Sequence, residues 1–258
     1  MDQLKYQVLL SLAESAAREA GQFLSACKVE SRAVEKELYR DIKLKADIES
    51  EQIIVDILAA QSNYDILTEE SGLLSHTAKC LDEKYYWIVD PLDGSMNFYR
   101  DLPISCISIG LFNGTKPVIG VVYDFHNDDM YTGIADHIST LQDKPIYVSS
   151  TSSMQDAILC TGFPVNTDFS QKKLIKFVEH VIHYKKVRLL GSAALSLAYV
   201  ACGKVDVYME SDIMLWDVAA GLALVLGSGG YVDITPGTHE WSYNVYASNN
   251  NINSSQDN

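Results

Sequence analysis

Basic side chains are scarce in this sequence: 20 Lys and Arg stand against 34 Asp and Glu, a formal net charge of −14. A field of that sign repels nucleic-acid backbones and anionic membranes, which argues against a DNA-, RNA- or membrane-binding role. An anionic substrate then needs a local cation, so a cluster of aspartates makes sense only if metal supplies the charge. Cysteine is sparse as well. Cys27, Cys80, Cys106, Cys160 and Cys202 are odd in number and scattered, which fits free thiols in a reducing compartment better than a disulfide framework or a zinc site. No apolar run reaches the length of a membrane span, and Glu14, Arg18 and Glu19 interrupt the opening stretch where a signal peptide needs continuous apolar residues. A cytoplasmic protein is expected.

What is present suits a folded chain. Of 258 residues 47% are hydrophobic and 21% charged, enough to bury a substantial core. Leu4, Val8, Leu12, Ala16, Ala20, Phe23 and Cys27 recur at helical spacing and predict a long amphipathic first helix. Residues 28–46 read as a loop or irregular hairpin, and Asp47 to Ala60 as a second helix. Strands are predicted at Tyr64–Thr68 and Tyr85–Val89, then as a meander at Cys106–Phe112, Val118–Asp124 and Met130–Ile134 with Asn113-Gly114 as a turn. The second half alternates: strands at Ala157–Thr161, Val187–Leu190, Val205–Met209 and from Tyr231, and helices at 171–184, 192–201 and 216–226. Gly227-Ser228-Gly229-Gly230 stops the last helix. The pattern implies one catalytic region over 1–248, with an α+β part to about residue 145 and an α/β part after it, and a disordered polar tail over 249–258.

Three segments carry chemistry. Asp90-Pro91-Leu92-Asp93-Gly94-Ser95-Met96-Asn97-Phe98 directly follows the apolar run Tyr85–Val89. It places two carboxylates at a strand end beside a Gly-Ser turn whose N–H groups can face an anion. Thr68-Glu69-Glu70-Ser71-Gly72 also follows a strand, and Trp216-Asp217-Val218-Ala219-Ala220-Gly221 sets a carboxylate in the first turn of an apolar helix. Each alone has a plainer explanation: an Asp-Gly turn, a solvated Glu pair, an aspartate favoured at a helix N-terminus. Converging from separate segments, they form a candidate metal-assisted phosphate site. His180 and His183, at i, i+3 on a helix, are the one histidine pair that could share an ion, but no further ligand accompanies them.

In these segments the sequence resembles the inositol monophosphatase superfamily, magnesium-dependent and lithium-sensitive phosphatases whose layered α-β-α-β-α sandwich is of the sugar-phosphatase type. The resemblance implies that Glu70, Asp90, Asp93 and Asp217 hold magnesium with the Leu92 carbonyl. It implies two ions, or three if the loop at 40–46 completes a further weak site. Gly94 and Ser95 would offer N–H groups to phosphate, and Ser95 would orient the attacking water with Glu70 and Asp47. Ser95 stands where relatives usually have threonine. The 40–46 loop departs from the Ser/Pro/Thr-rich pattern, which bears on metal count and lithium response. Gly191, Ser192 and Ala193 would lie against the alcohol portion of the substrate, and Glu210 would bond ring hydroxyls. The implied reaction is in-line attack of metal-activated water on a small polyol or sugar monophosphate, in a homodimer. A 3′(2′),5′-bisphosphate nucleotidase and a non-catalytic metal- or phosphate-binding regulator remain as alternatives.

Overall fold

The computed structural model describes residues 3–27, 34–37, 42–74, 85–164 and 167–252. Helix α1 (Gln3–Ala26) buries Ala13, Ala16, Ala17, Ala20 and Leu24 along one side. With α2 (Lys45–Gln61) it covers one face of an eight-stranded sheet. That sheet comprises β3 (Asp65–Thr68), β4 (Gly72–Leu74), β5 (Tyr85–Asp93), β6 (Cys106–Asn113), β7 (Lys116–Asp124), β8 (Asp129–Ile134), β9 (Ile138–Leu141) and β10 (Lys144–Pro145), in the order β10-β9-β8-β7-β6-β5-β3-β4. Only β3 and β5 run parallel; the other pairs are antiparallel. The irregular hairpin expected near 28–46 is present as β1 (Val34–Glu37) against β2 (Ile42–Leu44), while residues 28–33 and 38–41 lie outside the described residues.

The second sheet joins β11 (Ile158–Thr161), β12 (Lys186–Arg188), β13 (Val207–Met214), β14 (Tyr231–Pro236) and β15 (Ser242–Ser248), in the order β12-β11-β13-β15-β14. Helices α5 (Ala193–Ala201) and α6 (Leu215–Gly227) are packed between the two sheets in a core drawing Ile88 and Val122 from one and Tyr208 and Val245 from the other. A third cluster, Leu159, Val207 and Tyr246 with Val181, seats α4 (Gln171–Val181) on the outer face. The layers are therefore α-β-α-β-α, as the resemblance implied. Strands β4, β9 and β10, of two to four residues, were too short to be legible in the sequence, and the longer final strand β15 shows no sustained alternation. No helix among the described residues is long and apolar enough to cross a membrane.

A row of glycines sets the height of α6. Gly110, Gly120 and Gly133 face one another across β6, β7 and β8. A Cβ on Gly120 would collide with the Ala220 carbonyl, and one on Gly110 would meet Ala219 at 3.0 Å. The helix thus lies directly on backbone, and its first turn, with Asp217, is brought down to the end of β5.

The tail needs correction. Asn249 is buried, its side-chain amide donating to the Thr151 carbonyl and to Ser149 Oγ at 2.8 Å, and Ile252 is 1% exposed beneath Tyr246. The expected disordered tail from Asn249 is packed as far as Ile252; residues 253–258 lie outside the described residues.

Candidate metal and phosphate site

A regular strand would turn residues 90 and 93 to opposite faces. Here the pairing of β5 with β6 shifts between Asp90↔Ser108 and Asp93↔Cys106, and that irregularity lets both carboxylates reach one pocket. Asp217, from the first turn of α6, completes the group: Asp90, Asp93 and Asp217 each offer an oxygen within 4.8 Å of the others. Three anions this close repel one another, and the first two are buried. Desolvation, then the charges of Glu69, Asp93 and Asp217, pushes the Asp90 carboxyl well above its ordinary range. Burial raises Asp93 to about 6, against the opposing pull of its hydrogen bonds. The donors are hard oxygens, which suits magnesium and gives a soft metal no reason to prefer the site. Among the described residues no other His, Cys, Asp and Glu group gathers this way, so the His180–His183 pair finds no third ligand.

Asp93 is held by the neighbouring helix. Ser192 Oγ donates to its Oδ2 at 2.5 Å and the Ala194 N–H at 2.9 Å, with the Ala193 N–H 3.4 Å from Oδ1. Asp93 therefore occupies the N-terminus of α5, where the helix dipole favours an anion. Gly191, Ser192 and Ala193 also line the cleft beside Glu210, so the segment expected to face substrate additionally orients an aspartate. Asn97, to which the sequence reading assigned no role, fastens this loop: its amide nitrogen lies 2.8 Å from the carbonyls of Ile104 and Leu190.

Glu70, expected among the ligands, pairs its carboxylate with Lys43, while Glu69 lines the cleft and raises Asp90; neither belongs to the group of oxygens within 4.8 Å. Register explains the difference. Thr68 pairs with Val89 in the parallel β3–β5 ladder, and the Glu69 N–H continues it to the Val89 carbonyl at 3.2 Å, so Glu69 falls beside Asp90. Glu51 braces the turn that follows, accepting from the Glu70 N–H at 3.0 Å and from Ser71 Oγ at 2.5 Å. In a Glu-Glu pair only the pairing register tells which residue faces inward, and parallel register is not readable from local sequence. Glu69→Gln is accordingly expected to lower kcat by at least about a hundredfold and Glu70→Gln by less than about tenfold. Steady-state phosphate release from both variants checks this; the reverse order would restore Glu70.

Asp47 and Ser95 meet beside the Leu92 carbonyl. Buried Asp47 accepts the Leu44 N–H at 2.6 Å through Oδ2, while Oδ1 lies 3.1 Å from Ser95 Oγ, which is also 2.9 Å from the Leu92 carbonyl. The hydroxyl has one proton for two acceptors, so a cation on the Leu92 oxygen would direct that proton to Asp47. Gly94 has φ +87°, and a Cβ there would meet the Ile104 carbonyl at 2.8 Å; glycine is required to turn the Gly94 and Ser95 N–H groups into the start of α3 (Ser95–Tyr99).

Glu210 stands at the cleft wall on β13, its carboxylate lying over Gly162 where any side chain would displace it. Burial, then the charges of Asp217 and Asp93, pushes it up to about 8. It is therefore largely protonated at neutral pH, both donor and acceptor toward a hydroxyl. Glu210→Gln keeps that pattern in shape but fixes the donor, and is expected to raise KM up to about tenfold with kcat little changed. An unchanged preference across substrates would refute its recognition role.

The sequence profile of the Inositol monophosphatase family matches residues 5–256. An inositol-1-monophosphatase of Synechocystis is 36% identical over 231 residues, covering 88% of this chain and 78% of that protein. A Nus factor SuhB of Xylella fastidiosa is 35% identical over 221 residues, covering 84% and 78%. The crystal structure of the extragenic suppressor protein suhB from Bartonella henselae superposes with a TM-score of 0.83 at 30% identity, covering 95% of each chain. With a matching profile over nearly its whole length and relatives of this similarity, the chain belongs to the inositol monophosphatase family of phosphoric monoester hydrolases.

Proposed function

We propose that this protein hydrolyses a small polyol or sugar monophosphate in the cytoplasm, with magnesium held by Glu69, Asp90, Asp93, Asp217 and the Leu92 carbonyl. The observation that carries this reading is the convergence of Asp90, Asp93 and Asp217 within 4.8 Å beside the Gly94–Ser95 turn. The donor set fits the ion, since three crowded carboxylates, with the pKa values of Asp90 and Asp93 raised, are a site in want of cationic charge. Magnesium, when bound, lowers the pKa of coordinated water and offsets charge on the leaving oxygen. The protein's own groups do the rest. The Gly94 and Ser95 N–H groups orient the phosphate. Ser95 Oγ, donating to Asp47, accepts a hydrogen bond from the attacking water and aligns it. That water enters opposite the alcohol, which takes a proton as it leaves. Glu210 and the Gly191–Ala193 segment bind the alcohol. Cys106, Cys160 and Cys202 are free thiols, as a reducing compartment allows.

The test is phosphate release from inositol 1-phosphate, sugar monophosphates, fructose 1,6-bisphosphate and 3′-phosphoadenosine 5′-phosphate, each with magnesium, with chelator and with lithium. Magnesium-dependent release from a monophosphate is expected; preference for the bisphosphorylated nucleotide would select the nucleotidase reading instead. The name Nus factor borne by the Xylella relative favours one second reading, a regulator that binds metal or phosphate without turnover. Magnesium binding with no phosphate released from any ester would support it. For assembly we propose a homodimer through α4 and its C-cap, where Ile175, Val178 and Ile182 are 49%, 53% and 67% exposed on one side. Light scattering should give twice the 28.6 kDa chain mass, and Ile182→Glu should shift it toward the monomer.

A further inference from the structure

Past Glu210 the cleft opens into a second cavity that the reaction does not use. The space over the carboxylates measures about 350 Å³ and its neighbour about 550 Å³, with Gly162, Phe163, Pro164, Glu210 and Asp212 as their common wall. The neighbour lies between the end of β11, helix α4 and strands β14 and β15. We propose that it is a sugar subsite, taking a second, neutral, polyhydroxylated ring carried on the alcohol of the phosphate ester. This rests on the phosphatase reading above and specifies its substrate class.

The lining chemistry selects the occupant. Phe163, Leu174, Phe177 and Val245 make an apolar side, while Asp168, Asp233, Thr235, Thr238 and Asn244 bring carboxylate, hydroxyl and amide groups. A pyranose presents the same division, C–H bonds on its face and hydroxyls at its edge, and carboxylates accept from those hydroxyls. Charge rules out a second phosphate: Asp168, Asp212 and Asp233 outnumber Lys173 around the cavity. An acyl chain would desolvate these carboxylates with nothing in return. The volume lies within the usual range for a small-molecule site.

The experiment compares trehalose 6-phosphate with glucose 6-phosphate, and maltose 1-phosphate with glucose 1-phosphate, alongside inositol 1-phosphate and adenosine 2′-phosphate. At least one disaccharide ester should exceed its monosaccharide partner in kcat/KM by about tenfold or more, through KM. Thr235→Trp and Leu174→Trp, filling the cavity from different walls, should each bring that ratio to about one. Equal or better turnover of both monosaccharide esters, or a ratio surviving both variants, would overturn the subsite. A preference for the nucleotide that Thr235→Trp removes would assign the cavity to a base and overturn the sugar reading. Release from inositol 1-phosphate with no disaccharide preference would sink only the subsite, whereas no release from any ester would sink the phosphatase reading itself. In that last case calorimetric binding of free maltose and trehalose, lost in Thr235→Trp, still decides the cavity, and no binding would end the proposal.

Discussion

Replacing Asp90 with Asn is expected to cut magnesium-dependent phosphate release by at least about a thousandfold, roughly 4 kcal/mol of transition-state stabilisation, while making the metal-free protein more stable. Both effects come from the same burial. Asp90 is 1% exposed, and its carboxylate sits among Glu69, Asp93 and Asp217. Without a cation its charge is a cost to the fold; with one, it is an anionic donor that a neutral amide cannot replace. The Leu92 N–H donates to Asp90 Oδ1 at 3.0 Å, a bond that the Asn side-chain oxygen can still accept, so the strand end keeps its shape. Relief of repulsion by about 1 kcal/mol would raise the melting temperature in chelator by roughly 2–4 °C for a chain of this size. A parallel assay and melt of the two proteins reads both effects. Turnover within tenfold of the parent would remove Asp90 from the site, and a lower melting temperature in chelator would contradict the repulsion argument.

Magnesium is expected to raise the melting temperature by several degrees at pH 8 and by far less at pH 5. The sign follows from the raised carboxyls. Asp93 ionises near 3.8 when unfolded and at about 6 when folded, and Asp90 shifts in the same direction. Between those values the native state holds more protons than the unfolded one, so the stability of the metal-free protein falls as pH rises through the window. For Asp93 alone the loss is about 3 kcal/mol. A divalent ion needs these groups ionised, so it competes with protons: binding at pH 6 should release on the order of one proton, and fewer at pH 8. Calorimetry in two buffers of different ionisation enthalpy counts them. If no proton is released at pH 6 and the thermal gain is equal at pH 5 and 8, these carboxylates do not hold the ion.

How far the sequence could be read divides along a physical line. Helices α1, α2, α5 and α6 and the central strands were legible because each buries a long face whose period shows in local order. The Asp90–Phe98 and Trp216–Gly221 segments were legible because a carboxylate at a strand end or helix start is a local arrangement, as is the Gly94 turn. Strand β15 was not, although it sits inside the second sheet and is mostly buried, because its polar residues gain their partners from β13 and β14 only on folding.

By itself, then, the order of residues determined that this chain folds as a layered α and β protein with aspartates gathered for a hard cation. Only the tertiary structure decided which glutamate lines the cleft beside them. The choice of Glu69 over Glu70 depends on parallel register between β3 and β5, where a one-residue offset reverses the facing side. The grip of Ser192 and Ala194 on Asp93, and the cavity beyond Glu210, likewise join segments distant along the chain. Such contacts arise when separate elements pack, and no local pattern records them.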